Sequence, residues 1–238
     1  MSHIELSVVV LCYRAEEDII PFVEQLKKLL PGLTDNFEIV LVGNYFPGTA
    51  DRTKEIVEEL ALQDAHIKAI TKPKKGMMGW DMLEGIKASI GEYICIIDGD
   101  GQFPIKSIET CFKIIKQQKL DLVKTYRRKR FDGNNRIFLS KIYNFVFRLL
   151  FPNLNSKDVN SKPKIIHRSA INKMQLHSTD WFIDAEIMIN IRRYGMQFSE
   201  FPISFYKIKR SSFVKIGAIY EFIKNLIIYR INEFRIKK

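Results

Sequence analysis

The residue types with the clearest chemical potential are two aspartates and a glutamine in one short run, Asp98-Gly99-Asp100-Gly101-Gln102. Mg²⁺ and Mn²⁺ prefer carboxylate and amide oxygens in proteins, and a diphosphate can fill the remaining coordination positions of such an ion. The run follows the apolar segment Tyr93 to Ile97, which is typical of a buried strand. The alternative is an acidic turn, because Asp-Gly pairs are common in turns. A site for a divalent cation and a diphosphate is therefore one of two interpretations.

The segments around this run alternate between strand-like and helix-like patterns. Apolar runs of strand length recur, and between them apolar residues recur at helical spacing. The predicted strands are Leu6 to Cys12, Phe37 to Val42, Ile67 to Ile70 and Tyr93 to Ile97, and the predicted helices are Ile19 to Leu30, Thr53 to Leu62, Trp80 to Ser89 and Lys106 to Gln118. This alternation predicts an α/β fold with a mixed, mainly parallel sheet flanked by helices. Because ligands bind beyond the carboxyl ends of parallel strands, Asp98 falls at a binding edge.

Charge divides the chain into two halves. Residues 1–118 carry a net charge of −5, and residues 119–238 carry a net charge of +16. The basic half should meet an anionic partner, and an anionic membrane surface would account for both its charges and its aromatic residues. Nucleic acid is not expected, because the paired acids at 98–100 would repel its phosphates unless a cation intervened. We expect a catalytic domain over 1–215 and an appended basic amphipathic helix over 216–238.

The basic half contains two amphipathic helix candidates. Leu120 to Lys124 has the pattern of a further strand, and a basic loop is predicted from Arg127 to Arg136. Helices are predicted over Ile137 to Phe151 and over Gly217 to Lys238, and both could lie in the headgroup layer of a membrane. For the second helix, burial in the protein core is the alternative. No apolar run approaches the roughly 20 residues that span a bilayer.

Four segments resemble family 2 glycosyltransferases, in the same order along the chain. They are SVVVLCYRAEED, EIVLVGNYFPGTADRT, KKGMMGWDMLEGIKAS and YICIIDGDGQFP. The last is similar to the Asp-any-Asp-any-Gln form found in the dolichyl-phosphate mannose synthase-like branch, and the resemblance extends over most of the chain. It implies a GT-A (Rossmann-like) fold, a nucleotide-sugar donor, and Mg²⁺ or Mn²⁺ as cofactor.

The resemblance also implies roles for individual residues of the donor site. Those implied are Asp98, Asp100 and Gln102 at the metal and the donor diphosphate, Tyr13 and Glu16 near the base, Asp51 at the nucleotide end, and Lys75 in the Gly-rich loop. Asp100 is the residue we expect to be catalytic in this set. The chain departs from the family where relatives often carry paired acids after the second strand, because it has Gly43-Asn44 there. The identity of the nucleotide therefore stays open.

Acceptor binding is predicted for the basic loop, through Arg127, Arg136 and Ser140. Arg136 and Ser140 are four residues apart and would share one helix face, and arginine binds phosphate oxygens in a bidentate manner. An arginine and a serine at this separation contact the acceptor phosphate in the lipid-phosphate-using synthases that the chain resembles. A solvated basic loop is the alternative. Further along, Ser161-Lys162-Pro163 stands where relatives carry Ser-Gly-Phe.

Two late segments complete the predicted site. Asp184 and Glu186 look like the acidic site ahead of a helix in this family, and we expect Glu186 to be catalytic, either as a base or by orienting groups electrostatically. An ordinary acid at a helix N-terminus is the alternative. The late basic and serine segment resembles the one that closes over donor and acceptor phosphates in this family, and we expect its Arg210 to be catalytic.

Together these features predict a metal-dependent inverting glycosyltransferase that moves a sugar from a nucleotide donor to a polyprenyl (dolichyl or undecaprenyl) phosphate. It would be cytoplasmic and peripheral on the cytosolic face of the membrane. A glycosyltransferase of cell-surface polysaccharide synthesis, acting on a sugar hydroxyl, is the nearest competing function. A nucleotidyltransferase would release pyrophosphate instead of a nucleoside diphosphate, and a non-catalytic basic module would bind lipid or nucleic acid without turnover.

Overall fold

The computed structural model describes residues 3–207 and 224–231, and within these residues seven strands form one sheet. The strands are β1 (Leu6–Leu11), β2 (Phe37–Val42), β3 (Ile67–Ile70), β4 (Tyr93–Asp98), β5 (Leu122–Arg130), β6 (Lys164–His167) and β7 (Phe198–Phe205). The helices are α1 (Ile19–Leu29), α2 (Thr53–Gln63), α3 (Met78–Ala88), α4 (Ser107–Gln118), α5 (Asn134–Leu150), α6 (Arg168–Lys173) and α7 (Ile183–Arg193). Residues 224–231 are also helical.

The strand order across the sheet is β3-β2-β1-β4-β6-β5-β7, and β6 is the strand that runs antiparallel to its neighbours. The predicted mixed, mainly parallel sheet is therefore confirmed. All six residues of β1 are buried, and its apolar residues divide between two hydrophobic clusters on opposite faces of the sheet. Val8 and Val10 face the cluster with α1, α2 and α4, whereas Val9 and Leu11 face the cluster with α3, α6 and α7. Helices thus cover both faces of the sheet.

The predicted basic loop from Arg127 to Arg136 is wrong in its first part. Arg127 to Arg130 belong to β5, which pairs in parallel with β7 as far as the match of Arg130 with Phe205. The two strands are far apart in the sequence, so their backbone pairing overrides a local charge pattern that favours a loop. The connection from β5 to α5 is short, because α5 begins at Asn134, three residues before the predicted start.

The last described segment packs partly against the core and partly faces outwards. In the helix over 224–231, Leu226 is fully buried, while Ile227, Ile228 and Ile231 are 46%, 41% and 46% exposed. The predicted boundary at residue 215 lies outside the described residues. None of the helices within 3–207 and 224–231 has the length and apolar character needed to cross a membrane.

Candidate functional site

The Asp98 to Gln102 run lies at the carboxyl edge of the parallel strands, as expected. Asp98 is the last residue of β4, and the Gly99 amide donates a hydrogen bond of 3.0 Å to the Leu11 carbonyl at the end of β1. A Cβ at Gly99 would come within 2.7 Å of Ile19 Cδ1, and Gly101 has a φ of +73°. Both glycines are therefore needed for the chain to turn here in close contact with α1.

Hydrogen bonds within the run hold its predicted metal ligands at this edge. Asp100 Oδ1 accepts the Gln102 backbone amide at 3.0 Å. The Gln102 side-chain amide nitrogen donates to the Tyr206 carbonyl at 3.0 Å, so the amide oxygen is the atom that could act as a ligand of a cation. Tyr206 also donates its amide to the Gln102 carbonyl, so the run is fastened to the residue that follows β7.

The donor set fits a hard divalent cation that takes part of its coordination from a bound molecule. Two carboxylates and one amide supply oxygen ligands of the kind that Mg²⁺ and Mn²⁺ prefer. Within the described ranges, no group of three or more His, Cys, Asp or Glu side chains could hold a metal ion alone. Water or the oxygens of a bound molecule could complete the coordination sphere.

A buried lysine contacts the first aspartate of the run. Lys162 Nζ lies 3.2 Å from Asp98 Oδ1 and 3.3 Å from Asp184 Oδ2, and its side chain is 3% exposed. The other oxygen of Asp184 is 2.5 Å from the Nζ of Lys164, which is fully buried. Asp98, Lys162, Asp184 and Lys164 therefore form a continuous chain of alternating charges that runs from the site into the core. We call these four residues the lysine-aspartate chain.

The pKa values of this chain follow from burial and from the neighbouring charges. Burial alone would lower the pKa of Lys162, but the carboxylates of Asp184 and Asp98 hold it above its ordinary value. Burial lowers the pKa of Lys164 to about 8, although Asp184 opposes the shift. For Asp184, burial alone would raise the pKa, but Lys162 and Lys164 keep it below its ordinary value. Lys162 is therefore an ammonium and Asp184 a carboxylate at neutral pH.

Arg127 is paired inside the protein, which departs from its predicted role at the acceptor phosphate. Its Nε and Nη2 donate to the two carboxylate oxygens of Asp158 at 2.6 and 2.8 Å, and its side chain is 12% exposed. Burial alone would raise the pKa of Asp158, but Arg127 holds it below its ordinary value. The physical reason is that a buried guanidinium requires a carboxylate partner.

Arg136 and Ser140 lie one turn apart in α5, so the predicted pair does share a helix face. The Arg136 side chain is 39% exposed, and its Nη1 is 3.8 Å from Asp132 Oδ2. Asp132 is itself held by Arg130 through two bonds of 3.0 and 2.6 Å. The Ser140 hydroxyl is 3.4 Å from the Asn144 side-chain amide. The pair stands beside β5, whose carboxyl end is at the same edge as Asp98.

Glu186, the predicted catalytic acid, is fully buried and its carboxylate is occupied. Its oxygens accept the backbone amides of His177 and Ser178 at distances from 2.8 to 3.0 Å, and also the hydroxyl of Tyr229. These bonds tie the loop before α7 to the helix over 224–231. The geometry supports a structural role for Glu186, and it is Asp184, two residues earlier, that connects to the metal run. Arg210 lies outside the described residues.

The residues predicted near the nucleotide lie close together at the ends of β1 and β2. The Glu16 backbone amide donates to Thr53 Oγ1 at 3.0 Å, and this hydroxyl donates to Asp51 Oδ1 at 2.5 Å. The Tyr13 ring meets the Phe46 ring edge to face, with 6.3 Å between their centroids. These side chains can therefore form one wall of a nucleotide pocket.

A buried ion pair that the sequence did not indicate lies against this wall. Lys74 Nζ contacts the Asp81 carboxylate and lies 4.4 Å from the centre of the Tyr13 ring. Asn44 donates to the other oxygen of Asp81 at 2.9 Å. Lys75, the lysine predicted to bind the donor, is instead exposed, with its Nζ 5.9 Å from the Trp80 ring. Of the two adjacent lysines, Lys74 is the one that contacts the predicted base site.

Comparison with known proteins places this geometry in a family. Residues 7–180 match the family described as Glycosyl transferase family 2. Dolichyl-phosphate beta-glucosyltransferase ALG5A of Trichomonas vaginalis is 26% identical over 259 residues, which span 99% of this chain and 77% of that protein. The glycosyltransferase EpsJ of Bacillus subtilis is 34% identical over 119 residues, which span 50% of this chain. This chain covers only 32% of EpsJ and 42% of the Streptococcus pneumoniae glycosyltransferase GlyG.

Solved structures share the fold at low sequence identity. Glucosyl-3-phosphoglycerate synthase from Mycobacterium tuberculosis, in complex with Mn²⁺, uridine diphosphate and phosphoglyceric acid, matches with a TM-score of 0.72 and 15% identity, covering 95% of this chain and 78% of that one. The predicted GT-A fold is therefore confirmed. The finer prediction of a mannose synthase-like branch stays a prediction, because two relatives that span more than nine tenths of this chain bear the name of a glucosyltransferase. Because the family match covers well over half of its residues, this chain belongs to glycosyl transferase family 2.

Proposed function

We propose that the protein transfers a sugar from a nucleotide-sugar donor to a polyprenyl phosphate, with Mg²⁺ or Mn²⁺ bound and with inversion at the sugar. The position of Asp98, Asp100 and Gln102 beyond the carboxyl end of β4 supports the donor half of this proposal. The similarity to ALG5A along nearly the whole chain supports the acceptor half. Solved neighbours that hold Mn²⁺ or Mg²⁺ together with uridine diphosphate support a divalent ion in the same role.

Donor binding would use the two groups of residues at the ends of β1, β2 and β4. Asp98, Asp100 and Gln102 would hold the metal ion, which when bound supplies positive charge to the departing nucleoside diphosphate. Tyr13 and Asp51 would contact the nucleotide, with Glu16 beside them and Lys75 nearer the phosphates. Each of these roles is inferred from the edge position and from family resemblance.

The choice of a phosphate acceptor rests on one observation: three buried acidic side chains near the site are already bound by cations or by N–H groups. A sugar hydroxyl needs a base to remove its proton, whereas a phosphate is already an anionic nucleophile at neutral pH. Asp158 is bound by Arg127, Asp184 by two lysines, and Glu186 by backbone amides. Because these buried acids are already engaged by cations or N–H donors, the geometry favours an acceptor that requires no base.

In the proposed reaction, a phosphate oxygen of the acceptor forms a bond to the anomeric carbon of the sugar. The bond between that carbon and the donor diphosphate breaks, and its electron pair leaves with the nucleoside diphosphate. Arg136, Ser140 and Arg210 would hold the acceptor phosphate and orient it for this displacement. Arg127 would act indirectly, by fixing Asp158 and the end of β5.

The exposed face of α5 supports a position on an anionic membrane surface. Phe138, Phe145 and Leu149 recur on one side of this helix and are 63%, 61% and 70% exposed. Lys141 and Arg148 are exposed in the same helix, and anionic headgroups would attract both. A polyprenyl phosphate would reach the site from such a surface, with the enzyme peripheral on the cytosolic face.

A transfer assay tests this proposed function. The protein is incubated with Mn²⁺, polyprenyl phosphate and a panel of labelled nucleotide sugars, and the lipid extract and the released nucleotide are analysed. We expect label in the lipid phase, with nucleoside diphosphate released in equal amount. Label in a water-soluble glycan would instead support a hydroxyl acceptor, release of pyrophosphate would identify a nucleotidyltransferase, and absence of donor turnover would leave a non-catalytic module.

The α5 face has a matched test of its own. Phe145→Glu is expected to weaken binding to anionic vesicles about tenfold, because it replaces an exposed apolar side chain that would enter the lipid with a charge that the lipid repels. Cosedimentation with vesicles measures this. Leu62→Glu is the control, because Leu62 is 89% exposed on α2, away from this face, and its replacement should leave binding unchanged. Equal vesicle binding by the wild type and Phe145→Glu would contradict the membrane orientation.

A further inference from the structure

The surroundings of Lys162 hold its ammonium group in contact with the carboxylate of Asp98. Its backbone carbonyl accepts a hydrogen bond from the hydroxyl of Thr125 in β5, and the same hydroxyl is 2.8 Å from the hydroxyl of Ser161. Its side chain is almost completely buried, with Nζ also 3.2 Å from the sulfur of Met78 at the start of α3. Contacts from three different elements therefore fix this lysine at the metal run.

The charges of the lysine-aspartate chain cancel, because it contains two ammonium groups and two carboxylates. Lys162 Nζ is 3.2 Å from Oδ1 of Asp98 and 3.4 Å from its Oδ2, so both oxygens lie within reach of the ammonium. A divalent cation bound to Asp98 would face this fixed positive charge at short range. Lys162 is 3% exposed and Asp98 is 26% exposed, so solvent would screen the repulsion only in part. Lys162 would therefore weaken Asp98 as a ligand of such a cation.

We propose that Lys162 is a built-in cation of the donor site, a positioning residue that neutralises Asp98 and limits the affinity of the Asp98 to Gln102 run for a divalent metal ion. Of the three predicted ligands, Asp100 and Gln102 would then contribute most to holding the metal, and Asp98 less. Asp98 keeps a fixed orientation toward Lys162 whether or not the metal is present. This inference rests on the proposed function only in taking the run as the cation site.

A titration with Mn²⁺ alone tests the proposal without donor or acceptor. The electron paramagnetic resonance signal of the free ion measures how much Mn²⁺ is bound. Lys162→Met is expected to bind Mn²⁺ about tenfold more tightly than the wild type, because a positive charge beside the ligands is removed. Lys162→Arg should retain the wild-type affinity. A lysine with a merely structural role would give the opposite sign, since loosening of the site weakens metal binding.

The double variant Asp98→Asn/Lys162→Met gives a second test that removes the charge pair together. Under the proposal the pair contributes no net charge, so this variant should bind Mn²⁺ within about threefold of the wild type. Lys106→Met is the control for a general loss of charge, because Lys106 is exposed and should show no change.

Either of two outcomes would overturn the proposal. The first is that Lys162→Met binds Mn²⁺ no more tightly than the wild type. The second is that the double variant loses more than about threefold in affinity, which would make Asp98 a principal ligand. Failure of sugar transfer to lipid would leave these affinities untouched. The proposal about Lys162 and the proposal about the acceptor therefore fail separately.

Discussion

Asp100→Asn is expected to lower the rate of donor turnover about a thousandfold, the largest loss of activity that any single change at this site should cause. Asp100 sits in the run that would hold the metal ion, and the substitution removes the charge that binds the cation while keeping the size of the side chain. The fold should survive, because the asparagine oxygen can still accept the Gln102 amide that Asp100 Oδ1 accepts at 3.0 Å. Release of nucleoside diphosphate in the presence of Mn²⁺ measures the effect.

The matched control is Asp35→Asn, which removes an exposed carboxylate ahead of β2 and should leave turnover unchanged. Thermal unfolding of Asp100→Asn should coincide with that of the wild type, so that lost activity is not lost fold. If Asp100→Asn retained activity within about threefold of the wild type, the metal would have to be bound elsewhere or not be needed.

Asp184→Asn should reduce the free energy of unfolding by about 3–5 kcal/mol, the largest effect on stability that we expect. Asp184 is 1% exposed and serves two buried ammonium groups, Lys162 at 3.3 Å and Lys164 at 2.5 Å. An asparagine leaves both lysines without their shared counter-charge, and one buried ammonium must then lose its proton or draw in water. Urea unfolding at neutral pH measures the difference.

Asp121→Asn is a suitable comparison, because the carboxylate of Asp121 is only half-buried and accepts the backbone amide of Gln197. Its replacement should cost less than about 1 kcal/mol. Adding Lys164→Met to Asp184→Asn should recover part of the stability, since Lys162 keeps its contact with Asp98 and the second change removes the ammonium group that has lost its carboxylate. A loss below about 1 kcal/mol for Asp184→Asn alone would mean that the lysine-aspartate chain is not charged in the folded protein.

The first half of the fold could be predicted from sequence because its signals are local. The strands β1 to β4 are continuous apolar runs, and their observed ends lie within one residue of the predicted ends. The second half depends on pairing between distant segments. β5 continues through Arg130 because β7, which begins at Phe198, supplies its backbone partners, and no pattern within β5 indicates this.

The same contrast between local signals and distant contacts applies to the residues of the site. The Asp98 to Gln102 run was predictable, since two acids and an amide follow a buried strand directly. Lys162 was visible only as a departure from Ser-Gly-Phe, because the acids that hold it come from β4 and α7.

Where two residues of the same charge stand close together in the sequence, the sequence alone does not show which of them faces the site. Asp184 and Glu186 are two residues apart in α7, so they point to different sides of the helix, and only the packing decides which of them meets Lys162. Lys74 and Lys75 present the same difficulty in the Gly-rich loop. In that loop Lys74 is the lysine that pairs with the buried carboxylate of Asp81.

The central claim is that the Asp98 to Gln102 run binds the metal ion and the diphosphate of the donor. Anomalous diffraction at the manganese edge, from crystals grown with Mn²⁺ and uridine diphosphate, tests it most directly. We predict one manganese peak within bonding distance of Asp100 and Gln102, with the diphosphate on its far side and Lys162 still against Asp98. A nucleotide bound with manganese at a different place, or a manganese peak remote from this run, would contradict the account.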